Sequence, residues 1–201
     1  GIVTEVIDRP VQQANIRLGF PTIPRLHPDY YPLLMLNYIF GASSLSSRIA
    51  VTVRDNQGLA YQVVSRYVPM RHLGIFTVIL QTSNATANQA LEGIRSEMVK
   101  IQQAEVEDVE LNDARSHFRD RFPLTIETNG AMASQLLNLA RYDLPLTHFK
   151  DHLDHIAAVT KADILRAAQQ YFTPDKFVLT VVANAAEAEI NVGNQVVGAT
   201  V

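Results

Sequence analysis

An arginine and a tyrosine stand seven positions apart in this chain, on either side of a glycine: Arg54, Gly58 and Tyr61. The residues before the glycine have the pattern of a short helix, and those after it have the pattern of a strand. We therefore expect Arg54 at a helix end and Tyr61 on the following strand. A guanidinium and a phenol that face one surface can grip a carbonyl and stabilise an oxyanion. In that role neither side chain binds a metal or acts as a nucleophile, so the pair predicts an assisting part of a catalytic centre.

Both residues also have ordinary structural uses. Arg54 could neutralise the negative end of a helix dipole, and Tyr61 could be a strand aromatic that packs on a sheet. The spacing alone favours this plainer interpretation. Only the motif that surrounds the pair, described below, reverses the preference.

A second group of residues has the spacing of a metal site. His148 and His152 lie four positions apart on a predicted helix, Asp151 stands between them, and His155 follows. Such spacing can direct two imidazoles at one zinc ion, with the carboxylate as a base. However, aspartate is one methylene shorter than the glutamate this chemistry uses, and no other segment offers an obvious third carboxylate ligand. We interpret the histidines as the solvated side of a helix and keep the zinc site as an alternative. The apolar stripe of that helix would contain Leu144, Leu146, Phe149, Leu153 and Ile156.

Composition excludes several classes of function. The 201 residues carry a net charge of -3 and show no basic run with interleaved aromatic residues, so we expect no nucleic-acid partner. The absence of cysteine excludes disulfides, thiolate catalysis and cysteine zinc sites, and leaves the compartment open. No apolar run approaches the ~20 residues of a transmembrane helix. Because the chain begins with Gly1 and not with methionine, we expect a fragment of a longer protein or a processed product.

The predicted elements alternate between strands and helices. Strands are predicted at residues 11–20, 59–68, 75–81 and 177–182. Helices are predicted at residues 29–40, 47–54, 86–104, 107–121, 128–141, 147–158 and 160–173. Gly41 is expected to end the first helix, and capping boxes are expected at Thr86 and Thr160. This order predicts an α+β, two-layer sandwich in which helices cover one face of a largely antiparallel sheet. We expect one lobe over residues 1–184 and a polar, frayed tail over 185–201.

One long motif carries a family resemblance. Residues 27–61 read HPDYYPLLMLNYIFGASSLSSRIAVTVRDNQGLAY. A second, supporting motif runs from Ala158 to Asp163 and, after a helix, from Tyr171 to Pro174. With these motifs the chain resembles the pitrilysin/insulinase-type zinc peptidases, which include insulin-degrading enzyme and the mitochondrial processing peptidase. The resemblance covers about residues 11–182. It departs from the family pattern at 55–56, where Asp-Asn replaces a Glu-Lys type of pair, and at 42–43, where Ala and Ser replace glycines.

The resemblance implies a division of labour between two similar lobes that enclose a chamber. One lobe of these peptidases carries the zinc motif H-x-x-E-H on its first helix, whereas the equivalent helix here, residues 29–40, has no histidine. The chain therefore looks like the second, zinc-free lobe, which is inactive alone. By the resemblance, Tyr61 would stabilise the oxyanion of the tetrahedral intermediate, and Arg54 would hold a nearby carbonyl or orient the tyrosine. Zinc and the general base would belong to a partner lobe, and the substrate would be a peptide.

Two other functions stay open from the sequence. Some proteins of this resemblance have lost peptidase work, so the chain could be a structural or assembly subunit of the same fold. It could also be a separate zinc hydrolase that uses His148 and His152. The motif around Arg54 and Tyr61 favours the assisting lobe over both.

Overall fold

The computed structural model describes residues 1–43, 46–192 and 194–197, and the side chains of these residues except 55, 56, 61 and 194–197. The strands are β1 (Val3–Asp8), β2 (Gln13–Thr22), β3 (Ala60–Pro69), β4 (Gly74–Ser83), β5 (Val178–Ala183) and β6 (Asn194–Val197). The helices are α1 (Tyr30–Asn37), α2 (Ala87–Lys100), α3 (Asp108–Arg121), α4 (Asn129–Arg141), α5 (His148–Ala158), α6 (Lys161–Tyr171) and α7 (Ala185–Ala188). Two π-helical segments, Tyr38–Ala42 and Ala50–Asn56, follow α1.

The strands form one six-stranded sheet in the order β3-β4-β2-β5-β1-β6. The four strands from β3 to β5 pair antiparallel, whereas β1 pairs parallel with both β5 and β6. The α+β, largely antiparallel class that the sequence predicts is therefore confirmed.

One face of the sheet supplies the core. Along β2, alternate side chains are buried, and Ile16 and Leu18 are almost fully covered while Arg17 between them is exposed. This alternation follows from the two-residue period of a strand, which sends successive side chains to opposite faces. Phe76 of β4 lies against Phe172, with 4.9 Å between the ring centroids. The helices thus cover the buried face, and the other face stays open.

The first helix does not end where the sequence predicts. Gly41 was expected to stop it, but the backbone continues through Gly41 as the π-helical segment Tyr38–Ala42. A Cβ added at Gly41 would lie 2.5 Å from Ile49 Cδ1 and 2.5 Å from Ser65 Oγ. Glycine is needed here because other parts of the chain approach closely, and not because the helix must stop.

The two predicted capping boxes have different outcomes. Thr160 accepts a hydrogen bond from the Asp163 backbone N–H at 3.1 Å, and the Asp163 carboxylate accepts one from the Thr160 N–H at 3.0 Å. That capping box is confirmed. The box at Thr86 is wrong, since the Thr86 hydroxyl donates to the Ser83 carbonyl at 3.2 Å and caps no helical N–H.

The ends of the described chain join the sheet, which the sequence analysis missed. Strand β1 was not predicted, although it pairs with β5 along six residue positions. The prediction of a frayed tail is wrong for the first part of residues 185–201, because Ile190 and Val192 are buried and β6 pairs with β1. The boundary of the lobe at residue 184 stays a prediction. None of the described helices is both long and apolar enough to cross a membrane.

Candidate functional site

Arg54 lies in the last turn of the π-helical segment Ala50–Asn56, and its side chain is half-buried. Its backbone carbonyl accepts a hydrogen bond from the Gly58 N–H at 3.0 Å. Gly58 has φ +62, the left-handed conformation that glycine adopts without strain. The predicted order of helix end, glycine turn and strand is thus present in the backbone. The π geometry was not predicted, and π-helical turns occur frequently at functional sites.

Tyr61 lies near the start of β3, at an irregularity of the sheet edge. Ala60 pairs with Thr82 and Gln62 pairs with Gln81, so two steps along β3 match one step along β4. Tyr61 is therefore the extra residue of a β-bulge on an edge strand, a device that redirects side chains. The side chain of Tyr61 lies outside the described part of the structure. The pairing of its phenol with Arg54 stays a prediction.

The loop between the two residues is held at both ends. The Leu59 N–H donates to the Val53 carbonyl at 3.0 Å, and the Thr82 hydroxyl donates to the Leu59 carbonyl. Val53 is fully buried and packs against Gly93 of α2. The approach is close, because a Cβ added at Gly93 would lie 3.2 Å from Val53 Cγ2. These contacts fix the backbone of Arg54 relative to the start of β3.

A bidentate ion pair anchors the beginning of the same segment. Arg48 donates from Nε and Nη2 to the Glu110 carboxylate at 2.7 and 2.8 Å. Glu110 also accepts from the Glu107 backbone N–H at 2.8 Å, which completes a capping box at the start of α3. Burial raises the pKa of Glu110, but the hydrogen bonds from Arg48 and Glu107 outweigh it and leave that pKa lowered. No pattern in the sequence indicates this contact, because the two residues lie 62 positions apart.

The three histidines of α5 face aromatic and cationic neighbours. His148 Nε2 lies 3.0 Å from Nη2 of Arg25, and His152 Nδ1 lies 3.4 Å from the Tyr31 hydroxyl. The His155 ring stacks on Tyr31, with 4.8 Å between centroids. Burial is the main cause that lowers the pKa of His152 to about 4, and the neighbouring His148 and Arg25 lower that pKa further. Burial and Arg25 also lower the pKa of His148.

This arrangement does not support the zinc alternative. Nowhere in the described ranges do three His, Cys, Asp or Glu side chains come together so that they could hold a metal ion. The Nε2 atom that would bind zinc on His148 already contacts a guanidinium. The prediction of a solvated histidine face is wrong for His148 and His152, which are half-buried, and right for His155, which is exposed. Leu146 of the predicted apolar stripe is 72% exposed. Contacts with distant residues, which the helical period cannot show, decide this orientation.

Arg25 and the two tyrosines that open α1 are the residues that the sequence analysis missed here. The Arg25 guanidinium lies over the Tyr30 ring, 3.7 Å from its centroid. The Tyr30 and Tyr31 rings meet edge to face, with 4.9 Å between centroids. Tyr30 and Tyr31 belong to the long motif and Arg25 lies two positions before it, but the spacing of these residues gives no sign that they meet α5.

The chain matches the model of the peptidase M16 inactive domain over residues 1–118, more than half of its 201 residues. It is similar to an uncharacterised zinc protease of Bacillus subtilis, YmxG, with 26% identity over 167 residues. It is also similar to an uncharacterised zinc protease of Streptomyces coelicolor, with 27% identity over 165 residues. Both matches cover 82% of this chain but only 40% and 36% of the relatives. The chain thus spans less than half the length of these curated relatives.

Solved structures share the fold. A peptidase M16 inactive domain from Pseudomonas fluorescens superposes with a TM-score of 0.82 and 25% identity, over 90% of this chain and 43% of that one. A protease from Helicobacter pylori superposes with a TM-score of 0.81 and 20% identity, over 89% of this chain and 43% of that one. The fold class inferred from the sequence is the fold of these structures.

Proposed function

Because the chain belongs to the peptidase M16 inactive domain family, we propose that it is the zinc-free assisting lobe of a two-lobed zinc metalloendopeptidase. It would close a chamber over a peptide substrate and stabilise the tetrahedral intermediate. What supports the proposal is the backbone from Arg54 to Tyr61. This backbone has a π-helical segment that contains Arg54, a left-handed turn at Gly58 and a β-bulge at Tyr61 on an edge strand.

The chain would contribute hydrogen-bond donors and no metal. The Tyr61 phenol would donate to the oxyanion that forms on the scissile carbonyl, and Arg54 would hold a neighbouring backbone carbonyl or orient the phenol. Donors held in place before the reaction stabilise the developing charge, because they need not reorganise. No described residues of this chain form a metal site, so the zinc and its general base would belong to the partner lobe.

The first prediction concerns the Tyr61 hydroxyl. In the assembled two-lobed enzyme, Tyr61→Phe should lower kcat by about 10²–10³, the loss typical for one oxyanion donor. KM should change little, because the lost interaction forms only in the transition state. Steady-state kinetics on one peptide substrate measures both constants.

Tyr67→Phe on the same strand is the matched control. The Tyr67 hydroxyl is buried and donates to the Ile23 carbonyl at 3.1 Å, so its loss should cost about 1 kcal/mol of stability and leave kcat unchanged. An unchanged kcat in Tyr61→Phe would remove the phenol from the mechanism. Equal falls in both variants would indicate a structural effect on β3.

A further inference from the structure

A cavity of about 470 Å³ lies between α3, α4 and α5 and the segment that precedes α1. Apart from the phenols of Tyr30 and Tyr142, its titratable lining residues are all arginine or histidine: Arg25, Arg121, His117, His148 and His152. Its lining also contains aromatic rings, but no aspartate or glutamate among the described residues. Asp151, which is not a lining residue, acts electrostatically on His148 and favours its charged form. The cavity is therefore a positive and aromatic environment.

Arg25 is fixed in this cavity, and no carboxylate of the described side chains pairs with it. None of the salt bridges of the described residues involves Arg25. Its backbone N–H donates to the Met70 carbonyl at 2.9 Å, and its guanidinium rests on the Tyr30 ring. A guanidinium stays charged at all ordinary pH values and has donors on several sides. Contacts with the Tyr30 ring, the His148 imidazole and the Tyr31 hydroxyl occupy only part of the five N–H donors, and the rest are left for a ligand.

The neighbouring histidines are neutral, so they neither cancel the positive charge of Arg25 nor add a second cation beside it. A guanidinium has no acceptor atom, so His148 Nε2 at 3.0 Å must be the acceptor and His148 must be neutral. His152 stacks on Phe122 with 5.1 Å between centroids, and its lowered pKa keeps it neutral near pH 7. Among the buried parts of the lining, Arg25 is thus the cation that an anionic group would meet.

We propose that this cavity binds the carboxylate of a peptide, with Arg25 as its charged anchor and the surrounding aromatic rings as the contact for an apolar residue. A carboxylate matches the fork of a guanidinium and forms charge-assisted hydrogen bonds with it. That the carboxylate belongs to a peptide rests on the proposed function. It could be the C-terminal carboxylate or an acidic side chain, since both present the same two oxygens.

Binding of three short peptides to the purified protein tests the proposal. The first is acetyl-alanyl-alanyl-phenylalanine with a free carboxylate, the second is its C-terminal amide, and the third is the amide with glutamate in place of the middle alanine. We expect the first or the third to bind, and the second to bind at least tenfold more weakly. Titration calorimetry measures each Kd, and the carboxylate-bearing peptide that binds identifies the source of the carboxylate.

Three arginine variants complete the test. Arg25→Gln should weaken binding of the carboxylate peptide at least tenfold, and Arg25→Lys should weaken it less, because the charge remains while the fork is lost. Arg17→Gln, on the open face of β2 and outside the cavity lining, should leave binding unchanged. Thermal unfolding of each variant checks that it is folded.

Two outcomes would overturn the proposal. One is binding of the amide without an acidic residue as tight as that of the free acid, and the other is the same Kd for Arg25→Gln and the unaltered protein. Absence of binding by all three peptides also counts against it. The readout is binding and not hydrolysis, so a failure of the Tyr61 kinetic test would leave this result unaffected.

Discussion

Asp29 is a buried carboxylate that joins the beginning of α1 to α6. It accepts hydrogen bonds from Nη1 and Nη2 of Arg166 at 2.9 and 2.7 Å, and from the Tyr171 hydroxyl at 2.5 Å. The Arg166 hydrogen bond lowers the pKa of Asp29 and outweighs the opposing effect of burial. Asp29 is part of the long motif, so the sequence indicates that it matters. Its partners lie more than 130 positions away, and only the folded chain identifies them.

His152 carries the second prediction, which concerns stability against pH. Its pKa is about 4 in the folded protein and about 6.5 in an unfolded chain, so the unfolded state binds a proton first as the pH falls. The free energy of unfolding should therefore fall between pH 6.5 and pH 4, by up to about 1.4 kcal/mol per pH unit from this group. When the pH is lowered from 7 to 5, the free energy of unfolding of His152→Gln should fall by about 1–2 kcal/mol less than that of the unaltered protein.

Urea unfolding at several pH values checks this prediction. Between pH 7 and pH 8 the free energies of unfolding of the two proteins should change with pH in the same way, because that range lies above the one in which His152 titrates. Parallel curves between pH 7 and pH 5 as well would mean that His152 takes up its proton normally in the folded state.

Among the secondary-structure elements, local sequence patterns predict most helices. They fail for elements that form only through contacts between distant parts of the chain. Residues 128–141 and 160–173 were predicted as helices and contain α4 and α6, because a threonine cap and helical periodicity act within a few residues. Strands β1 and β6 were missed, since their parallel pairing joins segments far apart in the sequence. The same distinction applies to the candidate site. The turn at Gly58 was predicted from the residue type, whereas the bulge at Tyr61 depends on pairing with β4.

Gly41 carries the third prediction. Gly41→Ala should destabilise the protein by about 1–3 kcal/mol, the usual cost of overpacking, because its methyl group would overlap Ile49 and Ser65. Ser65 has little room to move, since its hydroxyl donates to Asn37 Oδ1 at 2.9 Å in a buried setting. Chemical denaturation measures the difference in the free energy of unfolding.

Gly130→Ala is the control for that substitution. Gly130 lies in the first turn of α4, and an added Cβ would meet no atom within 4 Å. We expect unchanged stability or a gain of up to about 1 kcal/mol, because alanine favours a helix more than glycine does. If both substitutions had the same effect, the close approach at Gly41 would not restrict the residue there.

For the whole molecule, the fourth prediction concerns the chain in isolation. Purified alone, it should hydrolyse no peptide and should retain no stoichiometric zinc after washing with a chelator. Addition of a zinc-binding lobe of the same family should restore hydrolysis that depends on Tyr61. Peptide cleavage and metal analysis by mass spectrometry provide the two measurements.

Two results would contradict this view of the molecule. Hydrolysis by the chain without a companion would show that it contains a complete catalytic centre. Tight zinc at one ion per chain that His148→Ala abolishes would favour the separate zinc hydrolase.

The π-helical segment Ala50–Asn56 has a consequence for insertions and deletions. A π-helical turn closes its hydrogen bonds over one more residue than an α-helical turn. Deletion of one residue here could be absorbed by a return to α-helical geometry, while Ile49 and Gly58 on either side keep their places. In an ordinary helix the same deletion would rotate every following side chain by about 100°. The chain thus has a point near Arg54 where its length could change by one residue without disturbing the sheet.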